Sequence, residues 1–226
     1  MDAPSAQLHD AAVARDLECL GLPADNWPAA VHGPDGSPVR DVLVVGAGMN
    51  GIAAAASLMF KGVRNVSVID QAGPGREGPW LTYARMGMLR SPKTLPGPAL
   101  GIPSLTYRAW HEARLGAASW QALYKFPNEL WVEYLSWLQR VLALPVTHRT
   151  VLMRIEPAGG LLRAVLRGDD GERELFARRV VLATGRRGAG GDAWPGFVDR
   201  SLVPELAAHT NDDIDFTRLR GKSIAI

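Results

Sequence analysis

The chain has 226 residues, 47% of them hydrophobic, enough to bury the core of one domain and part of a second. Its 25 basic and 23 acidic residues leave a formal net charge of +2, a balance that gives no basis for nucleic acid or an anionic membrane as partner. Cys19 is the only cysteine, which excludes an internal disulfide, a Cys-x-x-Cys redox pair and a thiolate zinc site, and suits a cytoplasmic location.

The first predicted element is a helix over Ser5 to Leu20, with apolar residues at Leu8, Ala12, Val13, Leu17 and Leu20 and a stop at Gly21. Asp2, Asp10, Arg15, Asp16 and Glu18 interrupt it, so it lacks the basic leader and apolar run of a signal peptide. Pro23 to Pro38 is an irregular connector. Val39 to Val45 reads as a buried strand, Gly46 to Gly51 as a glycine-rich turn, Ile52 to Lys61 as a helix and Asn65 to Asp70 as a second strand. Gly73 to Pro103 is rich in Gly and Pro and too irregular for long elements. Asn128 is expected to cap a helix reaching about Leu144, with Trp131, Tyr134, Leu135, Leu138, Val141 and Leu142 on one face. Val151–Ile155, Leu161–Arg167 and Glu172–Phe176 alternate as strands, the last two joined by a hairpin turn at Gly168 to Gly171. Arg179 to Ala183 is a further apolar strand running into Thr184-Gly185. No stretch approaches membrane-spanning length without charges.

Two motifs carry chemistry. Gly46-Ala47-Gly48-Met49-Asn50-Gly51 follows a strand and opens a helix. In such a turn the first glycine permits the tight bend, the second lets the backbone approach a pyrophosphate, and the third lets helix and strand pack closely. The helix N-terminus then offers free N–H groups and a positive dipole end, here through Met49, Asn50 and Gly51. The second strand ends in Asp70, at about the ~20-residue remove expected of a ribose-binding carboxylate. That carboxylate would repel a 2′-phosphate, which disfavours NADP at this site. The fingerprint by itself does not choose between FAD and NAD.

The order of an early Gly-x-Gly-x-x-Gly, a small β-meander and an Ala183-Thr184-Gly185 strand end resembles the flavoproteins with two dinucleotide-binding domains. The resemblance implies an α/β fold: a Rossmann-like FAD-binding domain with a parallel sheet, helices and an antiparallel meander between about Val151 and Phe176. It also implies that the Thr184-Gly185 backbone lies near FAD. Within that group the middle of the chain resembles the flavin-containing monooxygenases, including the Baeyer–Villiger and N-hydroxylating relatives. Glu77-Gly78-Pro79-Trp80 stands where they carry a Gly-Gly-x-Trp turn near the flavin. Glu77 replaces the first glycine, so the correspondence rests on Gly78 and Trp80. The tract from Arg85 to Lys93 lies where such enzymes bring chain past the flavin ring. Arg90 and Lys93 are therefore either flavin or substrate contacts, or solvated surface charges.

His209 matches the histidine of the family's Phe-x-Gly-x-x-x-His signature, while Val203 and Glu205 replace its Phe and Gly. Of the seven tryptophans only Trp80 has a positional argument for the flavin; most are expected to be packing anchors. His32, His111 and His148 show no spacing that suggests a metal or a triad. The resemblance implies oxygenation of a small organic substrate with FAD, NADPH and O2 as cofactors and co-substrate. A disulfide reductase is excluded by the missing cysteine pair; a non-catalytic nucleotide-binding protein stays open. Residues 1–38 are expected to be a helical extension and linker, and residues 39–220 the FAD-binding domain. Residues 221–226 would begin a second, NADPH-binding domain, with Ile224 and Ile226 in its first strand. On that expectation the chain by itself does not turn over NADPH.

Overall fold

The computed structural model describes residues 3–225. Helix α1 (Ala3–Cys19) precedes strand β1 (Arg40–Val45), helix α2 (Met49–Phe60) and strand β2 (Val66–Ile69). Helices α3 (Tyr107–Ala122) and α4 (Asn128–Val141) follow, then strands β3 (Val146–Thr147), β4 (Val151–Ala158), β5 (Leu161–Gly168) and β6 (Gly171–Leu182). The strands form a single six-stranded sheet in the order β3-β2-β1-β6-β5-β4. β3, β2, β1 and β6 run parallel, whereas β6, β5 and β4 pair antiparallel. This is the expected Rossmann-like sheet with its meander, and the two are continuous.

The continuity comes from β6. Its first part, to Ala177, pairs with β5, and its second part, from Ala177 to Leu182, pairs with β1. The sequence reading split it into two strands, Glu172–Phe176 and Arg179–Ala183, on either side of Ala177-Arg178. Arg178 is held there by the buried Asp41 of β1, 3.0 Å away, so the charge is paired inside the sheet.

Alternation along β1 serves both faces of the sheet. Val42 and Val44 face the helices, while Leu43 and Val45 pack with Ala164, Leu166 and Ala177 of the meander. On the helical side α3 is an element the sequence reading did not anticipate. Thr106 caps it by accepting from the Ala109 N–H (3.2 Å), and Gly116 (φ 84°) kinks it. Lys93 closes its other end: Nζ donates to the carbonyls of Trp120, Gln121 and Leu123. Tyr107 and Trp110 of α3 pack with Trp131, Tyr134 and Trp137 of α4 in one aromatic layer, where Phe126 stacks on Tyr107 at 3.9 Å.

Two expectations about α4 are corrected. The helix ends at Val141, and its N-cap is Pro127. Asn128 lies inside the first turn, and its buried amide donates to the carbonyls of Trp80 (3.0 Å) and Met86 (2.5 Å), tying the irregular 79–88 segment to the helix. Helix α1 docks on this layer through fully buried Val13 and through Asp10, which meets Arg114, Arg140 and the Trp137 indole. Among the described residues no helix is long and apolar enough to cross a membrane.

Candidate functional site

The carboxyl ends of β1, β2 and β6 converge where the chain order reverses across β1, the place where open α/β sheets leave a crevice. The turn Gly46–Gly51 fills that edge. Gly46 adopts φ 104°, and a Cβ there would stand 2.4 Å from the Ala183 carbonyl oxygen at the end of β6. A Cβ on Gly51 would stand 1.7 Å from the Gly46 carbonyl oxygen. Both glycines are therefore demanded by close packing of strand, turn and helix. Gly48 differs: it is the N-cap of α2 with φ −65°, and a Cβ would meet nothing nearer than the Gly78 backbone at 3.8 Å. Its open side lies beside the α2 N-terminus, where no side chain caps the free N–H groups. Met49 is partly buried and Asn50 exposed at that helix start.

Asp70 stands directly beyond β2, 8% exposed. One carboxylate oxygen accepts from the Ala47 N–H (2.7 Å) and the other from the Ala72 N–H (2.8 Å). The side chain expected to face a ribose thus also braces the glycine turn from within. Each oxygen keeps a second acceptor position. Beyond it, a cleft of about 410 Å³ opens between His148, Thr150 and the Gly168–Gly171 hairpin turn.

Gly78 (φ 75°) brings the 77–80 turn against Gly48. The Trp80 indole Nε1 lies 3.7 Å from the position of a Gly78 Cβ, and this buried donor has no hydrogen-bond partner among the described residues. Glu77, 7% exposed, points inward to His148 Nε2 (2.5 Å) and Gln139 Nε2 (3.4 Å). Sequence reasoning treated Glu77 only as a lost glycine and found no carboxylate for His148. The partners are 71 and 62 residues apart, and no local spacing signals them.

The remaining predicted residues divide. Thr184 and Gly185 sit at the end of β6 on the open lip of the turn, with the preceding Ala183 N–H bonded to the Val45 carbonyl. Arg90 is exposed, and its backbone carbonyl accepts from Lys125 Nζ at 2.9 Å. Lys93 is neither a solvated charge nor free for a ligand, since it closes α3. Arg85 reaches the carbonyls of Thr210 and Asp212 and lies over the Phe216 ring. His209 packs on Trp194, accepts from the Asn211 N–H and neighbours Asp192. Trp27 is exposed, with its Nε1 bonded to the Lys61 carbonyl, whereas Trp110, Trp120, Trp131 and Trp137 are buried anchors. Ile224 is exposed, and Ile226 lies outside the described residues.

A model of FAD-NAD(P)-binding domains matches residues 43–187. The FAD-dependent urate hydroxylase of Xanthomonas campestris pv. campestris is 44% identical over 223 residues, covering 98% of this chain and 46% of that protein. The chain therefore spans about half the length of the curated relative it matches. Among solved structures, an ornithine N-hydroxylase from Kutzneria sp. 744 superposes with a TM-score of 0.55 at 16% identity, over 64% of this chain and 37% of that one. An ornithine hydroxylase from Pseudomonas aeruginosa does so with a TM-score of 0.54 at 22% identity, over 64% and 38%. At those identities the likeness is one of fold. The span 43–187 runs from β1 to just past Gly185 and contains the glycine turn, Asp70 and the Gly78 segment, and on that match the chain belongs to the FAD-NAD(P)-binding family.

Proposed function

We propose that this chain is the FAD-binding part of an NADPH- and O2-dependent flavoprotein hydroxylase whose substrate is a small organic molecule, urate or a related purine. The main support is the convergence at one sheet edge of a turn that only glycine can form, an uncapped helix N-terminus and a buried carboxylate. The purine substrate rests on the 44% identity to a urate hydroxylase across nearly the whole chain.

The residues fit FAD. The open face of Gly48 leaves space for a diphosphate beside the backbone, and the N–H groups of Met49, Asn50 and Gly51 supply donors and the positive end of the helix dipole. Asp70 keeps acceptor positions for ribose hydroxyls. The unpartnered Trp80 Nε1 and the Gly78 backbone form the wall facing Gly48, and Thr184-Gly185 the lip beyond Gly46. Arg90 is assigned to the flavin or substrate side on its exposure and its place in the 85–93 tract. When bound, FAD supplies the redox chemistry. The chain's own residues bind the diphosphate, fix the ribose and shield the dinucleotide from water.

Of the two Gly-x-Gly-x-x-Gly stretches, Gly46–Gly51 and Gly73–Gly78, only the first joins a strand to a helix, and that site is assigned to FAD, so NADPH is handled outside it. Residues 39–220 are accordingly the FAD domain, residues 1–38 an extension and residues 221–226 the entry to a second domain.

The test is to purify the protein, release any flavin and identify it, then follow urate-dependent NADPH oxidation in the protein of full length. A yellow protein releasing FAD is expected, with NADPH consumption stimulated by urate. A protein that takes up no flavin would overturn the reading. FAD binding without urate stimulation would overturn only the substrate.

A further inference from the structure

We infer that Glu77, Gln139 and His148 form a clamp that aims the Gly48 N–H at the dinucleotide diphosphate. This rests on the FAD reading above. Ala47 is held on both sides. Its N–H donates to Asp70, and its carbonyl accepts from Gln139 Nε2 at 3.4 Å. The same Gln139 amide reaches Glu77 Oε1, and His148 Nε2 holds that oxygen from the end of β3. A planar trans peptide points its C=O and N–H in opposite directions. Holding the Ala47 carbonyl toward Gln139 therefore turns the Gly48 N–H away from the clamp, toward the open side of the turn. Glu77 also precedes Gly78, whose Cα would lie 3.8 Å from a Cβ on Gly48, so the clamp sets that wall as well. A buried carboxylate is costly beside a diphosphate, and the imidazole and amide that surround Glu77 offset that cost. Glu77, Gln139 and His148 are thus positioning residues: they act through the turn and do not touch the cofactor.

The experiment is an FAD titration of the protein and of Gln139→Met, Glu77→Gly, Glu77→Gln and the Glu77→Gly/Gln139→Met double variant, with thermal unfolding of each apoprotein. Gln139→Met and Glu77→Gly should each raise the Kd for FAD about tenfold, the size of one lost hydrogen bond. Glu77→Gln keeps the acceptor oxygen and should restore near-native affinity. The double variant should be no weaker than either single one, because both changes break one linkage. Should Glu77→Gly fail to fold, Gln139→Met decides alone, since it preserves helix and volume. An unchanged Kd in Gln139→Met, or losses that multiply in the double variant, would overturn the clamp while leaving FAD binding standing. A wild-type chain without FAD affinity would overturn both.

Discussion

The glycine turn at the sheet edge and the aromatic layer of α1, α3 and α4 lie on the same molecule but are held by different physics. In the turn, position is set by exclusion and by single hydrogen bonds: Gly46 and Gly51 have no room for a side chain, and Asp70 holds one N–H. In the aromatic layer, position comes from area removed from water, with Tyr107, Trp110 and Tyr134 almost wholly buried. Among the described residues the layer leaves polar atoms buried without partners: Tyr107 Oη and the Nε1 atoms of Trp110 and Trp131. The proposed FAD site and the aromatic core should therefore respond to mutation in different observables.

The largest effect is expected in the core. Tyr107→Ala should cost about 3–5 kcal/mol in urea unfolding, the range for deleting a buried ring. Tyr107→Phe should cost almost nothing, because the hydroxyl it removes has no partner among the described residues. A large loss in the Phe variant would show that a bound water or an unseen group satisfies that hydroxyl.

Next comes Gly48→Val. Its backbone conformation accepts any residue and its Cβ has room, so the fold should survive, with a circular dichroism spectrum like the parent's. The branched side chain would occupy the proposed diphosphate position, and FAD affinity should fall by about a hundredfold or more, beyond the loss of one charge-assisted bond. Normal FAD binding in a folded variant would move the diphosphate elsewhere.

Asp70→Ala belongs to both regions and tests whether they separate. About 1.5–3 kcal/mol should be lost from FAD binding, and a smaller loss should appear in the apoprotein because the Ala47 and Ala72 N–H groups lose their acceptor. Unchanged flavin affinity with lowered stability would make Asp70 a brace only.

The smallest effect should come from Asp10, in the seam that docks α1. Burial by itself would raise its pKa, but hydrogen bonds from Trp137 and Arg140 and the charges of Arg140 and Arg114 outweigh burial and hold it below the ordinary carboxylate value. A carboxylate with a depressed folded pKa contributes stability above its unfolded pKa of about 3.9 and loses it as pH falls through the lower folded value. Asp10→Ala should therefore cost about 1 kcal/mol at neutral pH, less as the pH drops below about 4, and nothing in FAD affinity. A pH-independent loss would assign Asp10's role to packing.

Much of the site was legible in the residues because its requirements are local. The bend at Gly46, the contact at Gly51 and the strand-end position of Asp70 are demanded by a short strand–turn–helix unit, and such demands appear as residue types at set spacings. The hairpin at Gly168–Gly171 was readable for the same reason. Lys93 was not, since its role depends on where α3 ends, and α3 has only Thr106 as a local signal and is broken by Gly116. Asn128 begins the helix without capping it, and its amide serves a distant loop instead.

The sequence alone determined the geometry of the turn, the strands beside it and the β-meander, because steric exclusion and alternating hydrophobicity act over a few residues. Only the tertiary structure decided that β6 is one strand joining meander to parallel sheet, and that Arg178 finds Asp41. It alone brought Glu77 to Gln139 and His148 beneath the Ala47 carbonyl. A buried charge takes whichever partner the packing of remote elements delivers, and that delivery has no signature in local spacing.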